Sequence, residues 1–587
     1  MGYYLSNDPD SAGRLPRPSG TENNEWRSIG ACASSSTVFC GGHDLFAECI
    51  RGPGHWQLLF EGYLDELHSQ ISIDALLGSE DFLRRPVDKL KALAGAYTLV
   101  AWNTQTGEVI ATRDRTGART VYFTEHGGHL TLATSSDWVV RVSGRPRREE
   151  PRFIVSLFAL QQAPPPGLSA FKGVRELMPG DVLQFGSGKL AVTHTPRDFD
   201  ALVRAGQVKR RPDDWADEFF HLLNNAVVSC LPPEGDAACM LSGGLDSGPT
   251  AVLADEHLRP QGRAVRPISW SLHDFPACDE AKWIHQSASR LYHPLDLCDL
   301  SHALPFSRLD STVVIPDLPI YNGFRLLVND CYQRARAQRC SVLLNASTGD
   351  QIYPHRRWLH LDRLRRRQWS LLRNDLLAAA RVDGLSGLFN DPAVRFPLAR
   401  HLLPCRHRAR APAWLQDSAK ALWQAPSSWP PEAKSTPEPA FARQLFGAPM
   451  AFGVAHEAPM AQRHGVDRRD PFQNEALLEF MLKAPFDLSW RSGYTKAIMR
   501  RAMRGRLPES ILMKDRTGRL EDLYQSGIRA NRETIKTLLF DQQLVWQQYV
   551  HPDSMRAILS RENQGQSILL ASCTGYSLWK KQFHTID

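Results

Sequence analysis

Up to about residue 195 the apolar positions cluster in short runs separated by Gly, Asn and Asp. The runs at 58–60, 96–102, 109–112, 121–123 and 130–133 predict strands, and the polar segment 103–108 between two of them predicts a hairpin loop. Beyond about residue 205 helical stretches alternate with the apolar runs 237–241, 268–272 and 342–344. That alternation predicts βαβ units around a parallel sheet. A Pro-rich, charged stretch near 403–440, with Pro430-Pro431 and Pro437-Glu438-Pro439, interrupts the second pattern and predicts a loop or mobile insertion. No internal repeat is visible.

The chain has 587 residues, enough for at least two domains, and 42% hydrophobic with 23% charged residues excludes a disordered chain. A net charge of +7 is small for this length. It speaks against a dedicated nucleic-acid binder and is met by an anionic small ligand. The eleven cysteines are scattered without a C-x-x-C pair, which argues against a disulfide framework and a zinc site. The first residues lack a secretory pattern and no apolar run reaches the membrane-spanning length of about 18 residues, so a cytoplasmic protein without a membrane partner is expected.

The sharpest chemical signal is Ser242-Gly243-Gly244-Leu245-Asp246-Ser247, directly after a predicted strand and before a helical run. Glycines let the backbone turn its N–H groups inward, serine hydroxyls add donors, and a helix N-terminus faces the same spot, which makes a nest for phosphate oxygens. The lysine of a Walker-type loop is missing. Asp246 would repel phosphate without a cation between them, which implies Mg²⁺. A tight strand-to-helix turn with ordinary caps is the plainer reading.

This loop is similar to that of ATP-pyrophosphate-cleaving enzymes, and the chain resembles the asparagine synthetase B family over nearly its whole length. In the first half Leu93-Ala94-Gly95-Ala96-Tyr97, Arg113-Asp114-Arg115-Thr116-Gly117 and Met178-Pro179-Gly180-Asp181 carry the resemblance. In the second, Cys278-Asp279-Glu280, Ser347-Thr348-Gly349-Asp350-Gln351, Val466-Asp467-Arg468-Arg469-Asp470-Pro471-Phe472 and the stretch from Leu507-Pro508-Glu509 to Lys514-Asp515-Arg516 follow in the family's order. The resemblance implies an α+β class II glutaminase-like sandwich of antiparallel sheets over 1–195. It implies an α/β ATP-pyrophosphatase domain, of the adenine nucleotide alpha hydrolase type, with a parallel sheet and many helices over 205–587. It further implies ATP and Mg²⁺ as cofactors, with Asp246 and Asp350 on the metal. Ser242, Gly243, Gly244, Leu245, Asp246, Ser247 and Gly349 would bind the phosphates, Ser271 and Leu272 would border the adenine and ribose, and Lys514 and Arg516 would be the catalytic cations.

The chain also departs from the family: its Arg-x-Lys near the active site becomes Lys514-Asp515-Arg516, with the two cations exchanged, and the first half departs further. A class II glutaminase uses a cysteine after the initiator Met, its thiolate attacking glutamine and its α-amino group serving as base. Gly2 stands there, and Cys32, Cys40 and Cys49 cannot supply that amine. The family's glycine-asparagine oxyanion element is replaced by Phe60-Glu61-Gly62-Tyr63-Leu64-Asp65-Glu66-Leu67. Glutamine hydrolysis is therefore not expected, and the amine must belong to the substrate. Two branches resemble this: lasso-peptide macrolactam synthetases, which close an Asp or Glu side chain of a precursor peptide onto its own N-terminal amine, and β-lactam or carbapenam synthetases, which close a small β-amino acid. The β-lactam branch carries a tyrosine just ahead of the metal Asp. Ala346-Ser347-Thr348 lacks it, which favours the lasso branch, with a precursor peptide as substrate, a leader peptidase as partner protein and no nucleic acid. Ammonia-dependent asparagine synthesis, base modification in tRNA and a non-catalytic scaffold compete with these two branches. The arginine-rich run His355-Arg356-Arg357, Arg363, Arg365, Arg366, Arg367, Arg406, Arg408 and Arg410 reads as a solvated face or as a dock for an acidic peptide. Trp358 and Trp369 read as core anchors or stacking surfaces.

Overall fold

A computed structural model describes residues 2–6, 26–31, 37–41, 47–51, 55–69, 86–90, 92–161, 163–195, 197–205, 210–310, 313–365, 367–377, 380, 410–425, 437–491, 494–514, 520–541, 545–560 and 567–584. The first half is a sandwich of two six-stranded antiparallel sheets. Its strands are β1 (Gly2–Ser6), β2 (Trp26–Ala31), β3 (Thr37–Gly41), β4 (Ala47–Arg51), β5 (Trp56–Leu64), β6 (Gly95–Asn103), β7 (Val109–Arg113), β8 (Tyr122–His126), β9 (His129–Ala133), β10 (Arg175–Glu176), β11 (Asp181–Gly186) and β12 (Lys189–His194). One sheet runs β10-β8-β9-β1-β3-β2 and the other β12-β11-β7-β6-β5-β4. Leu5, Phe123 and Leu132 from the first meet Leu59, Val100, Trp102 and Leu183 from the second. The opposite face of β6, with Tyr97, Leu99 and Ala101, packs with Leu90 of the short helix Pro86–Leu90. Burial on both faces explains why 96–102 reads as a continuous apolar run and not as an alternation. Asn103 and Glu108 close the predicted hairpin, the Asn103 amide donating to the Glu108 carbonyl at 2.8 Å.

The second half holds a five-stranded parallel sheet in the order β15-β14-β13-β16-β17, formed by β13 (Ala237–Met240), β14 (Val265–Ser271), β15 (Asp296–Asp299), β16 (Val342–Leu344) and β17 (Asp467–Arg469). β13 is central and its Ala237, Ala238 and Cys239 are buried. Helices Pro212–Ser229 and Ser247–Leu258 cover one side. Arg325–Ala337 and Ala448–Arg463 contribute to the apolar cluster around Ala238, Ile268 and Leu343.

The halves are joined by a shared core and by ion pairs. Phe153 and Phe171 from the first half pack in one cluster with Trp546, Tyr576 and Trp579 from the second. Glu475 accepts from Arg115 at 2.8 Å and Arg197 at 2.5 Å, and Asn474 donates to Asp65 at 2.7 Å.

The stretch near 403–440 departs from the expected loop in its described part. Leu415 and Ala419 are buried, Leu415 bridges Val550, and the Trp414 indole donates to the Phe158 carbonyl at 2.8 Å. Helices occupy Asp417–Leu422 and Pro437–Phe446. A few apolar anchors outweigh the polar composition around them; 403–409 and 426–436 lie outside the described residues. Among the described residues no helix is long and apolar enough to cross a membrane.

Candidate active site

The first site loop leaves the carboxyl end of β13, where ligands of parallel sheets sit. The Ser242 amide donates to Ser247 Oγ at 2.9 Å, and the two hydroxyls are 2.9 Å apart, which curls the loop onto the first turn of Ser247–Leu258. Gly243 has φ +66°, and a Cβ there would lie 2.7 Å from the Ile284 amide nitrogen and the Trp283 carbonyl carbon. Glycine is thus required twice, by conformation and by space. Leu245 is buried beneath the loop, whereas Gly244 is half-buried and Ser242 exposed.

The second loop leaves β16. Asp470 holds it: its carboxylate accepts from the Thr348 amide at 3.0 Å, Thr348 Oγ1 at 2.8 Å and Arg468 at 3.2 Å. Gly349 comes so close to the first loop that a Cβ on it would meet Asp246 Cγ at 2.5 Å. The carboxylates of Asp246 and Asp350 are therefore neighbours.

Between them lies Lys496. The short hairpin of Trp490–Arg491 and Tyr494–Thr495 delivers it in the left-handed region, φ +57°. A non-glycine residue pays about 1–2 kcal/mol for that conformation, and such outliers cluster at functional positions. Its Nζ donates to Asp350 Oδ1 at 2.6 Å and pairs with Asp246 Oδ2. Burial, together with Asp350, pushes Asp246 up to about 6 against the pull of Lys496. Burial opposes the charge on Lys496, but Asp246 and Asp350 outweigh it and hold its amine above the ordinary lysine range. Asp246 Oδ1 is buried without a hydrogen-bond partner, an acceptor that a cation or donor would satisfy.

Lys514 is buried beneath the first loop. Its Nζ donates to Glu280 Oε1 at 2.6 Å and to the Gly243 carbonyl at 3.3 Å, and sits 5.3 Å from the Trp283 ring centroid. Glu280 is thus a partner of Lys514, while Asp279 accepts from the Ala281 amide at 3.0 Å and lies 3.5 Å from His273. Arg500 ties the two lysine segments together, donating to the carbonyls of Thr495 at 2.7 Å, Lys514 at 2.8 Å and Leu512. Arg516 lies outside the described residues. Ser271 and Leu272 are buried at the carboxyl end of β14, next to β13.

Asp246, Gly349 and Asp350 are brought together, and Lys514 approaches the same loop from below. Lys496, Asp470 and Arg500 carry no signal that sequence reasoning could single out. A lone lysine among arginines has no pattern, and Asp470 stands in a motif without a role. A cavity of about 650 Å³ opens beside the lysine segments, its walls including Trp490, Tyr494, Ile498, Arg501, Leu512 and Met513.

In the arginine-rich run, Arg363 is buried, donating to the Leu371 carbonyl at 2.9 Å and pairing with Asp375. Trp358 is a core residue and Trp369 is exposed. Arg367 and Arg410 are exposed. The side chains of Arg356, Arg357 and Arg365, and all of Arg366, Arg406 and Arg408, lie outside the described residues.

In the first half Glu61 lies in the stretch that stands in place of the glutaminase oxyanion element. It is buried in β5 and accepts from Thr98 Oγ1 at 3.2 Å, and burial pushes its carboxyl above the usual range.

An antiparallel sandwich preceding a parallel sheet with two loops at its carboxyl edge defines the class of ATP-dependent amide-forming ligases built on an amidotransferase-like domain. The chain belongs to the asparagine synthase family, whose model matches residues 218–585, and a glutamine amidotransferase domain model matches 82–195. It is 21% identical over 473 residues, 77% of this chain and 71% of the relative, to "Asparagine synthetase [glutamine-hydrolyzing] 3" of Bacillus subtilis. It is 22% identical to "Amidase chry2" of Gibberella zeae, over 52% of this chain and 48% of that protein. A putative asparagine synthetase of Mycobacterium bovis matches at 26% over 29% of this chain and 26% of its own.

Proposed function

We propose that the protein is an AMP-forming synthetase that closes a precursor peptide into a macrolactam, joining an Asp or Glu side-chain carboxylate to the peptide's N-terminal amine. The observation that carries the adenylation step is Lys496 held between Asp246 and Asp350, with Asp246 Oδ1 left unpartnered. Among the described residues no cluster of three or more metal-ligating side chains occurs. Two carboxylates suit Mg²⁺, which takes its remaining ligands from phosphate and water. Asp246 and Asp350 would hold that ion, which when bound neutralises phosphate charge.

The loop Ser242 to Ser247 binds the pyrophosphate end of ATP. A substrate carboxylate oxygen forms a bond to the α-phosphorus as the bond from that phosphorus to the bridging oxygen breaks, releasing pyrophosphate. The amine nitrogen then bonds to the acyl carbon, AMP departs with the electron pair of the broken C–O bond, and the amine loses a proton. Lys496 meets negative charge developing at the reacting phosphate, and Lys514 backs the pyrophosphate loop from beneath. For ring closure, holding both ends of the peptide close contributes most.

Two features support a peptide carrying its own amine. The stretch Phe60 to Leu67 lacks the asparagine of the glutaminase oxyanion element, which disfavours glutamine hydrolysis and an ammonia supply. Ala346-Ser347-Thr348 lacks the tyrosine of the β-lactam branch, which disfavours a small β-amino acid as substrate. We place the enzyme in the cytoplasm, acting after a leader-removing protease. The test is AMP and pyrophosphate release with ATP and Mg²⁺ in the presence of a leader-free peptide encoded beside its gene, small β-amino acids, or aspartate with ammonia. Release with the peptide alone, and a product lighter by one water, is the expected result. Turnover only on aspartate with ammonia or on a β-amino acid overturns it.

A further inference from the structure

β17 is a strand made of Asp467, Arg468 and Arg469, all buried, so packing of apolar side chains does not hold it. Its side chains serve two different sides. Asp467 and Arg469 face the first half. Arg119 grips Asp467 in a fork, NH1 to Oδ1 at 2.6 Å and NH2 to Oδ2 at 2.9 Å, and Arg469 Nε donates to the same carboxylate at 2.7 Å. Arg469 also lies 4.6 Å from the ring centroid of Tyr63 and donates to the Leu231 carbonyl at 3.1 Å. Bidentate pairing of this kind fixes direction as well as distance.

Arg468 and the following Asp470 face the second site loop. Arg468 donates to Ser347 Oγ at 2.7 Å and to Glu457 at 2.9 Å, and Glu457 also accepts from Asn345 at 3.1 Å. Asp470 takes both donors of Thr348. The next residue, Gly349, is the one pressed against Asp246, and Asp350 follows.

The Arg119 end is equally fixed. Asp114, fully buried, accepts from the Thr116 amide at 3.0 Å, Thr116 Oγ1 at 2.8 Å, the Ala118 amide at 2.9 Å and the Arg119 amide at 2.9 Å. Hydrogen bonds joined through the backbone of β17 therefore connect the sandwich to the loop carrying Asp350.

We infer that Arg119, in the amidotransferase-like half, is a positioning residue for the nucleotide site of the other half: its grip on Asp467 fixes β17 and, through Arg468 and Asp470, the loop bearing Gly349 and Asp350. The sandwich thereby acts on the synthetase without glutamine chemistry of its own. This rests on reading the two loops as the nucleotide site.

The test uses the full chain with Arg119→Leu and Arg119→Lys, read by amide hydrogen exchange and by calorimetric titration with ATP and Mg²⁺. Arg119→Leu is expected to speed exchange at 345–350 and weaken ATP binding, each by about tenfold, and Arg119→Lys to restore most of both. Faster exchange confined to 114–119 and 467, with 345–350 and the ATP affinity unchanged, overturns the inference. Should the leucine variant not fold, the lysine variant, which keeps the charge but loses the fork, is read the same way with about a threefold effect expected and an unchanged 345–350 overturning it. If the wild-type chain binds no ATP, the nucleotide reading fails, while exchange at 345–350 still decides the coupling.

Discussion

Replacing Gly349 with alanine presses directly on the contact between the two site loops. The new Cβ would lie 2.5 Å from Asp246 Cγ, 2.7 Å from its Cβ and 2.8 Å from Oδ1, whereas ordinary contact begins at 3.4 Å. The loops must part by about 0.9 Å, or the Asp246 carboxylate must swing away from Lys496 and Asp350. Overpacking of this kind costs about 1–3 kcal/mol, and a misplacement near 1 Å at a reacting centre costs about 100-fold in rate. The assay pairs calorimetric titration of ATP and Mg²⁺ with thermal unfolding of the same preparation. Binding is expected to weaken by at least about tenfold while the chain stays folded. Gly453→Ala serves as control: it lies in the helix Ala448–Arg463, its Cβ would meet nothing within 4 Å, and it should leave ATP binding unchanged while adding up to about 1 kcal/mol of stability. An unchanged affinity in Gly349→Ala would refute the placement of Asp246 in the nucleotide site.

Three other outcomes follow from the geometry. Lys496→Met should cut AMP formation by about 100-fold or more with little change in thermal midpoint, and a variant within threefold of wild type would remove Lys496 from the chemistry. Incubation with glutamine should release no glutamate, because the stretch Phe60 to Leu67 lacks the asparagine of the glutaminase oxyanion element; measurable glutaminase activity would contradict that reading. Asp467 is held at about 2 by Arg119 and Arg469 in spite of burial, below its ordinary 3.8. Its contribution of about 2 kcal/mol is therefore complete above about pH 4 and lost as pH falls toward 2, a slope that Asp467→Asn should flatten in acid titrations followed by circular dichroism.

The strands whose burial comes from apolar side chains are visible in the sequence, because 96–102, 237–241 and 342–344 announce themselves by composition. β17 is not: Asp-Arg-Arg has no strand pattern, and its burial depends on partners such as Arg119, 348 positions away in the sequence. The Ser242–Ser247 turn is legible because its chemistry is local, made of residues that cap and curl within six positions. The approach of Gly349 to Asp246 and the insertion of Lys496 between two carboxylates are products of tertiary assembly, which no spacing records. The stretch near 403–440 misleads for the opposite reason, since proline and charge dominate its composition while Trp414, Leu415 and Ala419 decide its packing.

The core that runs through both halves bears on what keeps the sandwich attached to the ligase. Phe171 stacks with Phe583 at 5.8 Å and tilts over Trp579 at 5.3 Å, and Phe158 meets Tyr549 and Tyr576 at 5.6 and 5.4 Å. A descendant that deleted the sandwich would bare these rings on the synthetase, and uncovering even three of them would forfeit roughly 10 kcal/mol, comparable to the whole stability of a typical domain. Selection on the sandwich is therefore separable from selection on any chemistry of its own: it persists for as long as the ligase must stay folded.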